Sequence, residues 1–291
     1  MPEVCLLNGR AESPRSAMIP VDDWGVRYGW GLFETIRIHK GCPLFLERHL
    51  SRLCEAARLL EVSDDSESQR GRWHTDIRKA LKLSSMSEGI LNCYWTRGSL
   101  LAQVRPSRAI RVRPRSRYPK GPLKLWLAPW RIEPTYPGAG VKTLAYFPYI
   151  FAGLAARREG YDEALVLNTS NRVADGAASS IFVILDGQVL TPRLDQGTLP
   201  GITRSVVLDI LQELKIPHRE TRIAWTSLLR ADGVFVTSSL RGVSRVSYIS
   251  DHWKQRQRSS PISELIEKSY SAAVREDVRG WKSGGWSNLL R

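Results

Sequence analysis

The sequence is poor in cysteine, lacks long apolar runs and has fewer acidic than basic residues. Its 4 cysteines, Cys5, Cys42, Cys54 and Cys93, are scattered through 291 residues without CxxC spacing. This distribution is typical of reduced, mostly buried thiols, so we predict no disulfide framework, no metal site and a cytoplasmic location. No apolar run approaches the roughly 20 residues of a membrane span, and the N-terminus reaches a turn without the apolar core of a signal peptide. These absences favour an ordinary globular protein.

The shortage of acidic residues leaves a formal net charge of +14, from 43 lysines and arginines against 29 aspartates and glutamates. Part of the excess forms a basic run made of Arg105, Arg108, Arg111, Arg113, Arg115, Arg117 and Lys120. A basic surface can attract nucleic acid or anionic small molecules. The run lacks the interleaved aromatic residues on which bases stack. We therefore expect general steering of acidic substrates and no nucleic-acid partner.

Hydrophobic periodicity predicts a small α+β domain over residues 1–117. The predicted helices are Leu44–Leu60 and Trp73–Leu83, with a polar loop at residues 63–68 before the second helix. The predicted strands are residues 4–10, ending in an Asn-Gly turn, and then Leu32–His39, Ile90–Thr96 and Ala109–Arg113.

A second, larger domain is predicted over residues 123–274. Two prolines and a glycine make residues 118–122 a linker. The predicted strands are Leu123–Ala128, Glu163–Asn168, Ser180–Leu185, Gln188–Thr191, Arg222–Ala224, Val234–Thr237 and Val243–Ile249. The predicted helices are Ile150–Arg158, Gly201–Leu214 and Ile262–Val274. Residues 275–291 are predicted to be a poorly ordered tail.

Three pieces of chemistry lie between Val141 and Arg204. They are a lysine in an apolar run (Lys142), a carboxylate in a turn rich in Gly, Ala and Ser (Asp175), and a Gly-Ile-Thr sequence that opens a helix at Gly201. Together they suit pyridoxal 5'-phosphate. An amine can form a Schiff base, a carboxylate can meet the pyridinium nitrogen, and backbone N–H groups at a helix N-terminus can bind a phosphate.

These pieces occur within a longer ordered set of motifs. The set comprises YGWGLFETIRI, ERHLSRL, VKTLAY, GYDEALVLN, VADGAASSIF, LTPRLDQGTLPGITR and TSSLRGV. In this order, over roughly residues 4–250, the chain resembles the class IV aminotransferase family, the fold-type IV pyridoxal-phosphate enzymes. Branched-chain and D-amino acid aminotransferases and 4-amino-4-deoxychorismate lyase belong to that family. The resemblance implies an α/β (α+β) fold of two domains, a small N-terminal α+β domain and a larger cofactor-binding one.

The resemblance also implies roles for single residues. Lys142 is the catalytic lysine that forms the Schiff base, and Asp175 meets the pyridine nitrogen. The other cofactor-binding residues implied are Arg52, Ile202, Thr203, Ser238 and Ser239 at the phosphate, Leu199 on the ring face and Tyr146 at the phenolic oxygen. The implied substrate-binding residues are Phe33, Trp30, Arg97 and Arg241.

Three positions depart from the family pattern. Asp175 replaces the usual glutamate, which draws the carboxylate back by about 1.5 Å, one carbon–carbon step. Ala145 stands where many relatives carry Asn or His. Trp30 replaces a common Asp and is large enough to narrow the substrate entrance.

The resemblance leaves the reaction open between three alternatives. The broadest is transfer of an amino group between an amino acid and a 2-oxo acid. The second is the lyase reaction on aminodeoxychorismate, which eliminates pyruvate and gives 4-aminobenzoate, and FETIR, TPRLDQ and SSLRGV favour it. The third is a non-catalytic protein that uses the basic surface of the fold for binding. The resemblance also implies a homodimer.

Overall fold

A computed structural model describes residues 3–63, 66–115, 121–250, 253–254 and 260–284. The chain forms two compact units. Unit 1 comprises Met1–Arg117, Lys142–Tyr146 and Val274–Arg291, and unit 2 comprises Tyr118–Val141 and Phe147–Ala273. Unit 1 is thus assembled from three separate segments, whereas the sequence predicts a single continuous one. Residues 118–120 of the predicted linker lie outside the described residues.

Unit 1 contains an antiparallel sheet of six strands and three helices in its first segment, within the described residues. The elements are β1 (Val4–Leu7), β2 (Arg10–Glu12), α1 (Trp24–Tyr28), β3 (Gly31–His39), β4 (Cys42–Pro43), α2 (Leu46–Leu59), α3 (Ser66–Ser84), β5 (Glu88–Thr96) and β6 (Arg108–Arg113). The strand order is β2-β1-β6-β5-β3-β4. The long β3–β5 pairing, from Gly31 opposite Thr96 to His39 opposite Glu88, fixes which β3 side chains reach the core.

The core of unit 1 follows from the two periodicities of its elements. Alternate residues of β3 are buried, among them Ile36 and Ile38, while Leu50 of α2 is buried one helical repeat after Leu46. Trp73 and Trp95 are fully buried and meet edge to face, with ring centroids 5.8 Å apart. This geometry is the one that the charge distribution of aromatic rings favours.

Unit 2 contains a larger mixed sheet. Its elements are β7 (Leu123–Ile132), α4 (Phe147–Arg158), β8 (Glu163–Asn168), β9 (Val173–Gly176), β10 (Ser180–Leu185), β11 (Gln188–Pro192), α5 (Ile202–Glu213), β12 (His218–Thr221), α6 (Trp225–Leu228), β13 (Gly233–Ser238), β14 (Gly242–Ile249), β15 (Trp253–Lys254) and α7 (Pro261–Lys282). The strand order is β12-β11-β10-β13-β14-β7-β8-β9, with β15 paired to β14. Helix α7 begins in unit 2, and its residues from Val274 onwards belong to unit 1.

Strand β10 shows why the central strands of unit 2 are apolar throughout. Ile181 and Val183 belong to one buried cluster of the unit, and Phe182 belongs to another with Phe235 of β13. The Phe182 and Phe235 rings stack with centroids 4.8 Å apart. Because both faces of the strand are covered, neither can be polar, and the sequence reads SIFVIL.

Four predicted elements differ in the structure. The strand predicted at Arg222–Ala224 is wrong, because the polar segment His218–Thr221 pairs in parallel with β11 as an edge strand and hydrophobicity does not mark it. Helix α3 begins at Ser66, inside the predicted loop. Asp175 lies in β9, opposite Val166, and not in a turn.

The fourth difference is at the C-terminal end of α7. This helix continues to Lys282, past the predicted start of the tail, because Val274 and Val278 bury one face of it. Residues 285–291 of the predicted tail lie outside the described residues. Among the residues described, no helix has both the length and the apolar character needed to cross a membrane.

Candidate cofactor and substrate site

Backbone pairing with β3 places Lys142. The carbonyl of Lys142 accepts a hydrogen bond from the Phe33 N–H at 3.0 Å, and the Leu144 N–H donates to the carbonyl of Gly31 at 2.8 Å. Thr143 forms an antiparallel bridge with Leu32. Because this short segment is in register with a core strand, the direction in which Lys142 leaves the backbone is fixed.

Two aromatic rings surround the amine of Lys142. Its Nζ lies 4.2 Å from the ring centre of Phe33 and 4.6 Å from that of Tyr146. The two rings meet edge to face at 5.1 Å. Three residues that the resemblance assigns to the site are therefore in contact, and the half-buried amine is held over two π-faces.

A glycine turn lets the lysine segment approach α1. Gly29 ends α1 with a φ of 70°, in the left-handed region. A Cβ at Gly29 would lie 2.8 Å from the Cα of Ala145, which is closer than Cβ contacts in proteins come. Gly29 is thus needed both for its backbone conformation and for this close packing. The backbone conformation and the close packing therefore explain why the first glycine of the YGWG motif is a glycine.

Arg52 is held by a buried carboxylate. Its Nε donates to Glu34 Oε1 at 2.7 Å, and a terminal nitrogen donates to Glu34 Oε2 at 2.6 Å. His49 Nδ1 lies 2.7 Å from the same Oε2. The Glu34 and His49 side chains are each 1% exposed and the Arg52 side chain 12% exposed. His49 and Arg52 of α2 thus both contact Glu34 of β3. The bidentate pair with Glu34 orients the Arg52 guanidinium.

The charges of this network are strongly perturbed. Burial alone would raise the pKa of Glu34, but the Arg52 guanidinium and His49 lower it to about 2. Burial lowers the pKa of His49; Glu34 opposes that shift, and the charges of Arg52 and Lys142 add to it. Glu34 is therefore ionised at neutral pH, and the Arg52 guanidinium faces its negative charge. Sequence reasoning missed Glu34 and His49, although both lie in motifs that carry the resemblance.

Trp30 and Arg97, two predicted substrate residues, are in contact. The Arg97 guanidinium lies 5.8 Å from the Trp30 ring centre, and the Arg97 N–H donates to the Trp30 carbonyl at 3.1 Å. Trp30 also stacks on Trp24 and donates its indole N–H to the carbonyl of Leu60 at 2.8 Å. The buried Nε of Arg97 has no hydrogen-bond partner within the described residues. Trp30 is thus fixed in place, with the Arg97 guanidinium against its ring.

In unit 2, Asp175 has one satisfied and one unsatisfied oxygen. Its Oδ2 accepts from the Leu199 N–H at 3.0 Å. The loop that supplies this N–H is tied to β9, because the Thr198 hydroxyl donates to the Ala174 carbonyl at 2.7 Å. The buried Oδ1 makes no hydrogen bond to any residue that the structure describes. A buried carboxylate oxygen of this kind requires a donor from elsewhere.

Burial dominates the charge state of Asp175. It raises the pKa of this carboxyl to about 8, and the smaller opposing effects come from Leu199, Arg204, Gly176 and Ser180. The Gly176 N–H and the Ser180 hydroxyl act on the pKa from nearby, but neither meets the geometry of a hydrogen bond to Oδ1. Tyr149 shares this environment, since burial and then Asp175 raise the pKa of its phenol.

The start of α5 fits an anion. Gly201 is the N-cap and offers no side chain to the first N–H groups of the helix, which include those of Ile202 and Thr203. A Cβ at Gly201 would lie 2.8 Å from Ser180 Oγ. Ser180 pairs with Thr237, the residue before Ser238. The helix N-terminus and the end of β13 are therefore neighbours, as a phosphate site would need.

Ser238 and Arg241 lie at the β13–β14 turn. Ser238 Oγ accepts from the Arg241 N–H at 3.3 Å. Ser239 follows in the same turn. The Arg241 guanidinium donates to the Asp162 carbonyl at 3.2 Å, and its charge lowers the pKa of buried Glu163, which burial raises. Arg241 thus contacts Asp162 and acts on Glu163 within its own unit.

The residues present fit pyridoxal phosphate. Unit 1 supplies the Lys142 amine and a fixed arginine. Unit 2 supplies a buried carboxylate with an unused oxygen and a helix N-terminus with a glycine cap. Taken by itself, each unit therefore holds groups of the kinds that the cofactor needs: an amine in unit 1, and a ring-nitrogen partner and phosphate donors in unit 2.

The comparisons with known proteins agree with this chemistry. Branched-chain-amino-acid aminotransferase of Escherichia coli is 26% identical over 94% of this chain and 94% of its own. The crystal structure of branched-chain aminotransferase from Thermoproteus uzoniensis with norvaline has a TM-score of 0.82 and 26% identity, covering 92% of this chain and 93% of that one. The structure of 4-amino-4-deoxychorismate lyase from Pseudomonas aeruginosa has a TM-score of 0.76 and 28% identity, covering 91% and 97%.

The family comparison confirms both the resemblance and the predicted fold class. Residues 31–249 match the family described as amino-transferase class IV. The matched range includes Lys142, Asp175, Arg52 and the start of α5. The chain therefore belongs to the class IV aminotransferase family and is a pyridoxal-phosphate-dependent enzyme with the fold of that family.

Proposed function

We propose that the protein transfers an amino group between an amino acid and a 2-oxo acid, with Lys142 as its catalytic residue. The observation that supports the cofactor chemistry of this proposal is Asp175, a buried carboxylate whose Oδ1 has no partner within the described residues. A protonated ring nitrogen would supply that partner and would reverse the unfavourable burial of the carboxylate. The family membership of the chain supports the same cofactor chemistry.

Pyridoxal phosphate supplies an electron-withdrawing ring that takes up the electron pair left when Cα of the substrate loses its proton. Lys142 would hold the cofactor through Nζ and, once released by the substrate amine, would use that nitrogen to take up and return the proton of the substrate Cα. Asp175 would keep the ring nitrogen protonated. Leu199 would pack on the ring, and Tyr146 would donate to its phenolic oxygen.

The remaining proposed cofactor contacts are at the phosphate. The phosphate would be bound by the N–H groups of Ile202 and Thr203, the Ser238 and Ser239 hydroxyls and Arg52. The bidentate pair with Glu34 fixes the Arg52 guanidinium before a ligand arrives, which reduces the ordering cost of binding.

Arg97 is the proposed partner of the substrate carboxylate. Its unsatisfied Nε supports this role, and the Trp30 ring beneath its guanidinium limits the directions that it can take. Phe33 and Trp30 supply apolar surface for the substrate side chain. Arg241 is the proposed second cation, and one of its terminal nitrogens donates to the Asp162 carbonyl.

The lyase reaction on aminodeoxychorismate is a second candidate. The motifs FETIR, TPRLDQ and SSLRGV favour it, and the Pseudomonas aeruginosa lyase shares 28% identity with this chain, against 26% for the Thermoproteus uzoniensis aminotransferase. Both reactions need the same amine and carboxylate, so the cofactor residues do not discriminate between them. Substrate tests must do so.

The deciding experiment is spectroscopic. The purified protein, loaded with cofactor, is mixed separately with D- and L-amino acids, and its near-visible absorbance band is followed. Loss of the band with one enantiomer, and its return with a 2-oxo acid, is expected for the aminotransferase. A band that no amino acid changes, together with release of 4-aminobenzoate from aminodeoxychorismate, would replace this proposal with the lyase. If the protein shows no absorbance band and no turnover, the non-catalytic alternative is favoured.

The homodimer and the cytoplasmic location also remain proposals. Phe147, Ile150, Phe151 and Leu154 form an exposed apolar stripe on α4 at helical spacing, and such a stripe supports association. Sedimentation of the protein with and without Phe147→Ser tests the dimer. The four buried free thiols support a reducing compartment, which cell fractionation can test.

A further inference from the structure

Arg204 is a buried cation in the first turn of α5, where local structure does not favour one. It follows the N-cap Gly201 within that turn, and it is 4% exposed. The N-terminal end of a helix carries a partial positive charge, so a cation there is unfavourable, and burial adds a further cost unless the charge is paired. The first turn of α5 contains no acidic residue that would offset either effect. The position of Arg204 therefore needs an explanation.

Partners in two neighbouring strands hold one nitrogen of the Arg204 guanidinium. This terminal nitrogen donates to the Pro192 carbonyl at the end of β11 at 2.9 Å and to Glu220 Oε2 of β12 at 2.6 Å. The Arg204 side chain is 5% exposed and that of Glu220 is 45% exposed, so the cation is the buried member of the pair. The two contacts fix the guanidinium, but its buried Nε has no hydrogen-bond partner within the described residues.

A purely structural role explains the contacts of Arg204 but not its charge. A buried ion pair can often be replaced by apolar side chains of similar volume without loss of stability. A buried donor without a partner is also unfavourable. Linking α5 to β11 and β12 therefore does not by itself require a guanidinium at this position.

The residues just before Arg204 lead to Asp175. The Leu199 N–H donates to Asp175 Oδ2 at 3.0 Å. Two residues later, a Cβ at Gly201 would lie 2.8 Å from Ser180 Oγ and 3.2 Å from the Cβ of Arg204. The short segment 199–204 thus connects the buried carboxylate to the buried guanidinium.

The charge of Arg204 acts on Asp175. Burial raises the pKa of Asp175, and among the effects that oppose this rise the charge of Arg204 comes directly after the hydrogen bond from Leu199. Within the described residues, the other titratable group coupled to Asp175 is Tyr149 of α4, and its phenol stays neutral because burial and Asp175 raise its pKa. Arg204 therefore supplies positive charge to a carboxylate whose Oδ1 has no partner in the described part of the chain.

We propose that Arg204 is a positioning residue, which makes ionisation of Asp175 less unfavourable so that this carboxylate can pair with the protonated ring nitrogen of the cofactor. An opposite charge near a carboxyl group favours its ionised form. The ionised form makes the stronger hydrogen bond to a positively charged donor. Glu220 holds the guanidinium in place from β12. The pairing with the ring nitrogen rests on the proposed function, whereas the effect of Arg204 on Asp175 does not.

The test measures the pKa of Asp175 in cofactor-free, full-length proteins. The proteins are wild type, Arg204→Met, Arg204→Lys and the control Arg222→Met. Each is compared with its own Asp175→Asn counterpart by denaturant unfolding from about pH 5 to pH 10, because the pH dependence of the difference reports the folded-state pKa of Asp175.

The control removes the same charge from the surface of the same unit. The Arg222 side chain is 61% exposed and lies 3.3 Å from Asp195. Circular dichroism checks that each protein is folded. If Arg204→Met does not fold, Arg204→Gln takes its place, since glutamine is also neutral and can donate a hydrogen bond to a carbonyl.

We expect the pKa of Asp175 to rise by about one unit or more in the neutral Arg204 variant, a tenfold change in its ionisation equilibrium. Arg204→Lys keeps the positive charge, so it and the control should stay within about half a unit of wild type. The proposal is overturned by no rise in the neutral variant, or by an equal rise in the control. It is also overturned by an equal rise in Arg204→Lys, which would mean that the contacts of the guanidinium matter and its charge does not.

The second measurement is cofactor release from the loaded proteins without substrate, followed by absorbance. Cofactor affinity should fall about tenfold in the neutral Arg204 variant and be largely kept in Arg204→Lys. A raised pKa of Asp175 with unchanged cofactor affinity would support the action of Arg204 on Asp175 but overturn the pairing with the ring nitrogen. The two measurements therefore separate a failure of this inference from a failure of the proposed function.

Discussion

Without cofactor, the Asp175→Asn protein should become more stable relative to wild type as the pH rises. The folded-state pKa of Asp175 is about 8 against 3.8 for an ordinary aspartate, because the carboxyl is buried. Because the folded-state pKa is raised, the contribution of the Asp175 carboxyl to stability is fully present below pH 3.8 and is lost as the pH rises towards 8. Each pH unit in that window costs about 1.4 kcal/mol, since only the unfolded chain can ionise freely. Asparagine has the same shape and does not titrate.

The magnitude follows from this window. Between pH 5 and pH 8, the unfolding free energy of Asp175→Asn should gain about 4 kcal/mol relative to that of wild type. Denaturant unfolding of both cofactor-free proteins at several pH values measures the difference, in which the other titrating groups cancel. The control is Asp209→Asn, which removes an exposed carboxylate from α5 in the same unit. A constant difference between Asp175→Asn and wild type over this range would refute the reasoning.

The same substitution should weaken the cofactor. Asparagine cannot carry the negative charge that a protonated ring nitrogen requires, so cofactor retention by Asp175→Asn should fall even though the empty protein is more stable. Asp175→Glu tests the depth of the site and should preserve or improve turnover if the cofactor lies as it does in the family. A large loss in a folded Asp175→Glu protein would mean that the pocket is built around the shorter side chain.

Three further predictions concern unit 1. Lys142→Ala should abolish covalent cofactor attachment, seen as loss of the visible band with an unchanged circular dichroism spectrum, whereas exposed Lys124→Ala should keep the band; full turnover of Lys142→Ala would sink the assignment. Glu34→Gln should lower the unfolding free energy by about 3 kcal/mol at neutral pH. Because the folded-state pKa of Glu34 is depressed from 4.5 to about 2, this difference should fade in urea unfolding as the pH falls through that range; a difference that does not change with pH would contradict it. Gly29→Ala should destabilise more than Gly41→Ala, which has a similar positive φ but nothing within 4 Å of the new Cβ. Strain alone costs about 1–2 kcal/mol, and equal losses in thermal unfolding would show that the close packing of the lysine segment is unimportant.

The sequence alone predicts roles for Lys142, Asp175 and Gly201, because each residue type has a specific use in a short motif. Those roles remain predictions. Glu34 and His49 cannot be found in this way, since a Glu in a strand and a His in a helix say nothing until pairing brings them to Arg52. That contact depends on register and helix rotation.

Element prediction fails where hydrophobicity carries no information. Strand β12 is polar and exists because β11 offers its edge. The extension of α7 rests on two valines in a charged segment, and periodicity over so few residues is a weak signal. The predicted β10 agrees with the structure to the residue, because a strand buried on both faces is apolar throughout.

At the start of α2 the Phe45 N–H donates to Asp277 Oδ2 of α7, and this hydrogen bond has a consequence for the order of folding. A chain emerges from the ribosome N-terminus first, and its early domains generally fold first. Here Phe45 is made early, but the carboxylate that takes up its N–H is made more than two hundred residues later. Unit 1 is therefore begun first and finished last, after all of unit 2 has been synthesised. A shortened product that stops before Val274 would lack the hydrogen bond between Phe45 and Asp277. Its unit 1 would be incomplete, and such a product is a target for the quality-control machinery of the cell.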